Sequence, residues 1–202
     1  WGKQINYSLD RIDSLVGGEN FNVKAYGAKG DGVTNDFTAI QAAINAAEVT
    51  GGIVFFPVGT YNISAALSWS NPVHLLGAGK DATFIRTTAA TINALEINSG
   101  AARSSISGFT FNSSVTKTAG AAIRVQANYV TLSDYYVTGH YTATEISGAA
   151  TEVTARDWSF LNNVANGFVI NSTGNSFYIQ KGLASNTPAA TGSGIVWQKG
   201  ND

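Results

Sequence analysis

A regular repeat in the second half of the chain constrains its fold more than any other feature. Four segments align without gaps, and they read SISGFTF, TLSDYYV, TARDWSF and YIQKGLA. One column of this alignment contains Gly108, Asp134, Asp157 and Lys181, at steps of 26, 23 and 24 residues. A unit of this length cannot bury an apolar face alone, so consecutive units, or rungs, must stack on one another. The repeat therefore predicts a solenoid of short strands.

Apolar residues keep fixed places in these rungs, which predicts the side chains that form the core. Because successive residues of a strand point to opposite faces, apolar positions that alternate with polar ones face inward. The predicted inward columns are Ile106/Leu132/Ala155/Ile179, Phe109/Tyr135/Trp158/Gly182 and Phe111/Val137/Phe160/Ala184. A second set of strands has the outward column Glu96, Arg124, Glu145, Val169 and Val196. Both Trp158 and Trp197 are predicted core residues.

The composition excludes several classes of function. Charged residues make up 12% of the 202 residues, and the formal net charge is −1. This balance argues against a protein that tracks nucleic-acid phosphates and against a basic helix on a membrane surface. No apolar run approaches the roughly 18 residues of a membrane-spanning helix. Because the chain has no cysteine and only two histidines, we expect no disulfide and no metal site built from these residues.

The segment before the repeats predicts one capped helix. Thr34, Asn35 or Asp36 can cap its first turn, and Gly51-Gly52 can end it. Its predicted apolar face contains Phe37, Ile40, Ile44 and Ala47. We therefore expect a helix over about residues 35–50 that covers the open end of the strand stack, where backbone edges would otherwise be exposed.

The first eighteen residues predict a short helical neck. Apolar residues fall at Ile5, Leu9, Ile12 and Val16, which is the spacing of a coiled-coil seam, and Gly17-Gly18 ends the pattern. A seam this short needs partner chains, so it favours a parallel trimer or dimer. The alternative is one amphipathic helix packed on its own domain.

Four motifs follow the neck: NVKAYGAKGDGVTND from residue 22, AIQAAI from residue 39, GTY from residue 59 and LLGAG from residue 75. Together they resemble the start of the pectate-lyase-like, right-handed parallel β-helix superfamily. The resemblance implies an all-β fold in which residues 19–202 form the N-terminal portion of a β-helix, with about five rungs. The Gly30-Asp31-Gly32 sequence lacks the acidic series of a calcium loop, so we expect a turn there.

Within this superfamily, a neck that leads straight into the β-helix looks most like a bacteriophage tailspike. That resemblance implies a homotrimer in the virion tail, in contact with other tail proteins, that binds and degrades bacterial capsule, O-antigen or exopolysaccharide. The enzyme would be a glycoside hydrolase or a polysaccharide lyase, and the resemblance implies that it needs no organic cofactor. Two alternatives stay open: a non-catalytic structural or adhesive β-helix, and a secreted pectin-degrading enzyme. The motif series of polygalacturonases is missing, apart from a partial match at Gly139-His140.

The predicted register makes Asp134 and Asp157 outward neighbours about 4.8 Å apart. Two carboxylates at that spacing suit a retaining glycosidase, in which one acts as the acid and the other as the nucleophile. These two aspartates are therefore the candidate catalytic residues. The alternative is structural: both lie at a turn, accept backbone N–H bonds and use Lys181 as a counter-ion.

The second outward column is a candidate sugar-binding surface. Its alternating charges would stabilise an exposed sheet by a few tenths of a kcal/mol per pair, which is a structural interpretation. A face of amides and charged groups also suits hydroxyl-rich ligands, and an exposed tyrosine ring can stack on a pyranose. The predicted substrate-binding residues are Glu96, Arg124, Glu145, Gln126, Tyr136 and Tyr141.

Overall fold

The computed structural model describes residues 19–185 and 195–197, and its strands pair in parallel within two sheets. They form a β-solenoid of about six turns, one more than the sequence predicts. The expected parallel β-helix is therefore confirmed. The predicted neck, residues 1–18, lies outside the described residues.

The large sheet contains ten of the described strands, and the small sheet contains six. The strands of the large sheet are β1 (Asn20–Asn22), β2 (Asp31–Asn35), β3 (Ile53–Phe56), β4 (Gly59–Ile63), β6 (His74–Gly77), β7 (Thr83–Thr87), β9 (Ser105–Ser113), β11 (Thr131–Thr138), β13 (Val153–Leu161) and β15 (Phe177–Ser185). Those of the small sheet are β5 (Leu67–Trp69), β8 (Leu95–Ile97), β10 (Ala121–Val125), β12 (Thr142–Gly148), β14 (Asn166–Ser172) and β16 (Ile195–Trp197). A 3-10 helix (Val23–Tyr26) and the α-helix α1 (Phe37–Thr50) complete the described elements.

Backbone pairing confirms the register predicted from the repeat. Tyr135 of β11 pairs with Phe109 of β9 and with Trp158 of β13. Trp158 pairs in turn with Gly182 of β15. In the small sheet, the pairing follows the predicted outward column Glu96, Arg124, Glu145, Val169 and Val196.

The interior of the solenoid is a continuous stack of apolar and aromatic side chains. Trp158 packs on Phe160 and Phe168, with ring centroids 4.6 and 5.0 Å apart. Its ring also fills the space beside Gly182, where a Cβ atom would collide with it. Trp158 is thus a core residue, as predicted, whereas the side chain of Trp197 lies outside the described residues.

Helix α1 covers the first strands, as expected of a capping helix. It packs on β1, β3, β4 and β5, and it ends at Gly51, whose φ of +73° is left-handed. The predicted Phe37 is only partly buried. The fully buried residues of the helix are Ile40, Ala43, Ile44 and Ala47.

The N-cap position belongs to Asp36, but its carboxylate does not bond to the helix. It is buried and accepts the backbone N–H groups of Lys29 and Gly30 at 2.6 and 3.0 Å. The side chain of Asn35 accepts the Phe37 N–H at 3.2 Å instead. The first turn is therefore capped by Asn35, while Asp36 fixes the preceding glycine-rich segment.

The Gly-Asp-Gly sequence forms an Asx turn at the start of β2, where the pairing of this strand with β4 is irregular. The Asp31 carboxylate accepts the backbone N–H groups of Thr34 at 2.7 Å and Val33 at 2.8 Å. These bonds, that of Thr34 first, lower the pKa of Asp31 to about 2. Gly32 takes the left-handed φ of +72° that this turn requires.

No helix in the described part of the chain has the length and apolarity needed to cross a membrane.

Candidate functional site

The candidate catalytic residues Asp134 and Asp157 lie side by side on β11 and β13. Ser133 pairs with Arg156, and Tyr135 pairs with Trp158, so the two aspartates between them occupy the same place on adjacent strands. Adjacent strands are about 4.8 Å apart. The backbone register therefore makes the two residues vertical neighbours, as expected, and their catalytic role stays a prediction.

A left-handed backbone is shared by all four residues of this column, which we call the aspartate column. The φ angles are +80° at Gly108, +47° at Asp134, +52° at Asp157 and +43° at Lys181. Glycine adopts this conformation freely and aspartate tolerates it, but a lysine there is strained. All four rungs have a left-handed backbone at this column, and aspartate tolerates it, which supports a structural reason for Asp134 and Asp157. The same reason does not account for a lysine at position 181.

The counter-ion of Asp134 is Lys80 rather than Lys181. The Lys80 Nζ lies 3.2 Å from a carboxylate oxygen of Asp134, and the two side chains are 38% and 46% exposed. Lys80 belongs to the loop between β6 and β7. Its own backbone carbonyl accepts a hydrogen bond from the Thr110 hydroxyl. Within the described residues, no cation lies within 4.0 Å of the Asp157 carboxylate, and neither aspartate accepts a backbone N–H bond.

A shallow, open cleft of about 370 Å³ lies beside this column. Its lining includes Lys80 and Lys181. Asp157, Ser159 and Leu183 also line it. Asp157, Lys181 and Leu183 are exposed. The cleft therefore combines a carboxylate, two ammonium groups, a hydroxyl and an apolar side chain, which is a mixture that suits a sugar ring.

The outward face of the large sheet beside the cleft is rich in hydroxyl groups. Tyr136 lies on this face, two residues after Asp134, and it pairs with Thr110 and Ser159 on the adjacent strands. On the other side of the aspartate column, the outward positions hold Ser105, Ser107, Thr131, Ser133 and Thr154. The described side chains on this face thus offer spaced donors and acceptors.

The predicted charge ladder of the small sheet forms only in part. Arg124 Nε lies 3.7 Å from a carboxylate oxygen of Glu145 and donates to the Ser147 hydroxyl at 3.4 Å. Glu96, in contrast, accepts the side-chain N–H of Asn93 at 2.6 Å. The expected Glu96–Arg124 ion pair is therefore replaced, because a neighbouring amide on the same rung satisfies the Glu96 carboxylate.

The predicted site residues fall on two different sheets. Asp134, Asp157 and Tyr136 lie on the large sheet, whereas Arg124 belongs to the small one. Glu96 and Glu145 flank Arg124 on the adjacent strands, and Gln126 lies two residues after Arg124, immediately beyond the end of β10. The prediction therefore describes two surfaces and not one site.

Comparisons with known proteins agree with this architecture. Residues 20–117 match the family model "Rhamnogalacturonase A/epimerase, pectate lyase-like". These residues form a pectate-lyase-like domain. Mannuronan C5-epimerase AlgE6 of Azotobacter vinelandii is 47% identical over 75 residues, which are 33% of this chain and 9% of the relative. The chain thus spans less than a tenth of that protein.

Two solved structures resemble the whole described solenoid. ORF18 of Geobacillus virus E2 has a TM-score of 0.62 and 21% identity, over 89% of this chain and 43% of that one. The catalytic unit of the GH87 alpha-1,3-glucanase from Streptomyces thermodiastaticus has a TM-score of 0.71 and 18% identity, over 90% and 35% of the two chains. At these identities the likeness concerns the fold.

The remaining candidate, Tyr141, lies next to His140 in the turn between β11 and β12. Tyr141 is 36% exposed, while His140 is fully buried. The His140 Nδ1 lies 3.3 Å from the carbonyl oxygen of Thr138, and burial lowers the pKa of His140 to about 4. His140 is therefore neutral near pH 7 and has no contact with solvent, so Tyr141 alone remains a candidate ligand contact in this turn.

Sequence reasoning missed Lys80, because the β6–β7 loop lies outside the aligned repeats. It also missed a second left-handed column, formed by Arg103, Tyr129, Glu152 and Ser176. The signal for that column was present, since its steps of 26, 23 and 24 repeat those of the aspartate column five residues earlier. In the described part of the chain, no group of three or more acidic or histidine side chains is placed to hold a metal ion.

Proposed function

We propose that this chain belongs to a tailspike-type protein that binds bacterial surface polysaccharide and degrades it. The observation that carries the proposal is the cleft at the aspartate column, where Asp134 and Asp157 are vertical neighbours and Lys80 and Lys181 flank them. A polymer of hydroxyl-rich sugars finds there a carboxylate pair, cations and a hydroxyl-lined sheet face.

The two aspartates have different surroundings, which suits two different roles. Asp134, ion-paired with Lys80, supplies the carboxylate that faces the anomeric carbon. Asp157, which has no ion pair among the described residues, supplies the acid that protonates the departing glycosidic oxygen. Tyr136 stacks on a neighbouring sugar ring from the same sheet face.

The relatives support a polysaccharide as the ligand. The names of the matched epimerases refer to mannuronan, another matched protein of the same organism is named alginate lyase 7, and the glucanase is named for an alpha-1,3-glucan. The viral ORF18 supports a place in a virion. Capsule, O-antigen and alginate are therefore the polymers to test first.

The test measures reducing-sugar release and the ultraviolet absorbance of unsaturated products on these three polymers. We expect Asp134→Asn and Asp157→Asn each to lose cleavage, whereas Asp81→Asn, an exposed aspartate of the β6–β7 loop, keeps it. Equal cleavage by both variants and the wild type would make the carboxylate pair structural. Binding without any cleavage would favour the non-catalytic adhesive alternative.

The tailspike proposal includes a homotrimer, held by the neck of residues 1–18, that contacts other proteins of the virion tail. Light scattering should give the mass of three chains, and deletion of residues 1–18 should lower it. A monomer at high protein concentration contradicts this part of the proposal, while leaving polysaccharide binding to be decided by the assay above.

A further inference from the structure

A second column of left-handed residues lies five positions before the aspartate column on four consecutive rungs. The φ angles are +68° at Arg103, +59° at Tyr129, +52° at Glu152 and +70° at Ser176. The backbone N–H groups of the first three residues each donate a hydrogen bond of 3.0 Å to a carbonyl oxygen of the next rung. The acceptors are Asn128, Thr151 and Asn175 respectively. The turns that carry these residues are therefore stacked directly on one another.

This column contains no glycine, although its backbone is strained for residues with a side chain. The chain has 22 glycines, and it places Gly120 and Gly148 at left-handed positions elsewhere. Strained residues are often found at binding surfaces, where the surrounding structure holds them in place. The retention of an arginine, a tyrosine and a glutamate in this column therefore points to a role for their side chains.

Tyr129 is presented to solvent in a fixed orientation. Its side chain is 48% exposed, and the guanidinium carbon of Arg103 lies 5.7 Å from the ring centroid. The turn beneath it is held by a bond from the Thr151 N–H to the Asn128 side chain at 2.9 Å. Glu152 is exposed on the next rung. On successive rungs, Tyr129 thus lies between a residue with a cationic side chain and one with an anionic side chain, and the backbones of adjacent rungs are about 4.8 Å apart.

We infer that Arg103, Tyr129 and Glu152, which we call the turn ridge, bind a polysaccharide chain that runs parallel to the solenoid axis. This inference rests on the proposed function and adds a second contact surface to it. The Tyr129 ring stacks on one pyranose, and the two charged side chains bond to hydroxyl groups of the sugars before and after it. The length of one sugar in an extended polymer is close to the spacing between adjacent rungs. The polymer and the protein therefore stay in register along the ridge.

The turn ridge is separate from the cleft. Five residues of fully extended strand span about 16 Å, which is the upper limit of the distance along each rung from the ridge to the aspartate column. Hydroxyl side chains occupy the outward positions between them, among them Thr131 and Ser133. The ridge is therefore a holding site for the polymer, and its loss should weaken binding without removing the cleavage chemistry.

The experiment measures the affinity of the full chain for capsule, O-antigen and alginate by affinity electrophoresis. We expect Tyr129→Ala to weaken binding about fivefold to tenfold, and Tyr129→Phe to retain it. Tyr129→Gly should lose binding equally without a lower unfolding midpoint, because glycine relieves the left-handed strain. Tyr26→Ala is the matched control, since Tyr26 is 38% exposed in the 3-10 helix, away from the turn ridge and the large-sheet face beside the cleft.

Each outcome separates the two proposals. If the wild type binds a polymer and Tyr129→Ala binds it equally well, the turn ridge is overturned and the proposed function stands. If Tyr26→Ala weakens binding as much as Tyr129→Ala does, the effect is not specific and the ridge is again overturned. If the wild type binds none of the polymers, both proposals fail.

Discussion

The side chain of Gln41 pairs with the backbone of Ser68 as a neighbouring strand would. Its Nε2 donates to the Ser68 carbonyl at 2.7 Å, and its Oε1 accepts the Ser68 N–H at 3.0 Å. Ser68 is the middle residue of β5, which is the edge of the small sheet. Glu48, also on helix α1, accepts the N–H groups of Ser70 and Asn71. The helix therefore closes the sheet edge with side-chain hydrogen bonds as well as with apolar packing.

Replacement of Gln41 by alanine should destabilise the protein by about 1–3 kcal/mol, because two backbone groups of a sheet edge lose their partners. Gln41→Glu should lose less, since it keeps the acceptor for the Ser68 N–H. Urea denaturation measures both. The control is Thr38→Ala, at an exposed position of the same helix, and an equal loss in that variant would show that the edge bonds contribute nothing.

The left-handed backbone of the aspartate column gives opposite expectations for two of its members. Gly108→Ala should cost more than about 1 kcal/mol, because alanine is strained at this backbone. A Cβ atom there would also lie 2.7 Å from the Gly77 carbonyl oxygen. Lys181→Gly should leave the free energy of unfolding unchanged or raise it by up to about 1 kcal/mol. Thermal unfolding of both variants tests this, and a loss of stability in Lys181→Gly would contradict it.

The columns of the solenoid could be predicted because two independent patterns agree. Alternation along each strand identifies the inward residues, and the constant steps between rungs identify which of them meet, as in the Phe109–Tyr135–Trp158 stack. The left-handed backbone of this column could also have been predicted. Glycine and aspartate, which occur together in the column at Gly108 and Asp134, are residue types that tolerate such a backbone.

Contacts made by loops could not be predicted in the same way. Lys80 reaches Asp134 from a loop that interrupts the repeat, so no alignment column contains both residues. The replacement of the Glu96–Arg124 pair had a different cause. Strand register places two charges side by side, but it does not reveal that Asn93, three residues earlier, bonds to the same carboxylate.

The Arg124–Glu145 ion pair should contribute little to stability. Its closest atoms are 3.7 Å apart, and the two side chains are 36% and 30% exposed. Exposed pairs of this kind contribute about 0.2–1 kcal/mol, and added salt weakens them. A double-mutant cycle with Arg124→Ala and Glu145→Ala, repeated at low and high salt, measures the coupling. A salt-independent coupling well above this range would show that the pair is effectively shielded from solvent.

His140 makes the stability of the protein depend on pH below neutrality. Burial lowers its pKa to about 4, from an ordinary value of 6.5, and the nearby Lys117 cation adds to this effect. Between these two pH values the unfolded chain binds a proton that the folded chain does not, so acid favours unfolding. A difference of this size corresponds to about 3 kcal/mol, present at pH 7 and lost progressively as the pH falls from 6.5 to 4.

Urea denaturation at pH 7 and pH 4 separates His140 from the carboxylates, which also take up protons in acid. The Asp31 carboxylate, whose pKa is lowered to about 2, loses stability mainly below the ordinary pKa of an aspartate near 4. His140→Gln should therefore flatten the pH dependence above pH 4 relative to the wild type. An unchanged pH dependence in His140→Gln would mean that the imidazole takes up its proton without unfolding, and so is not sealed inside the solenoid.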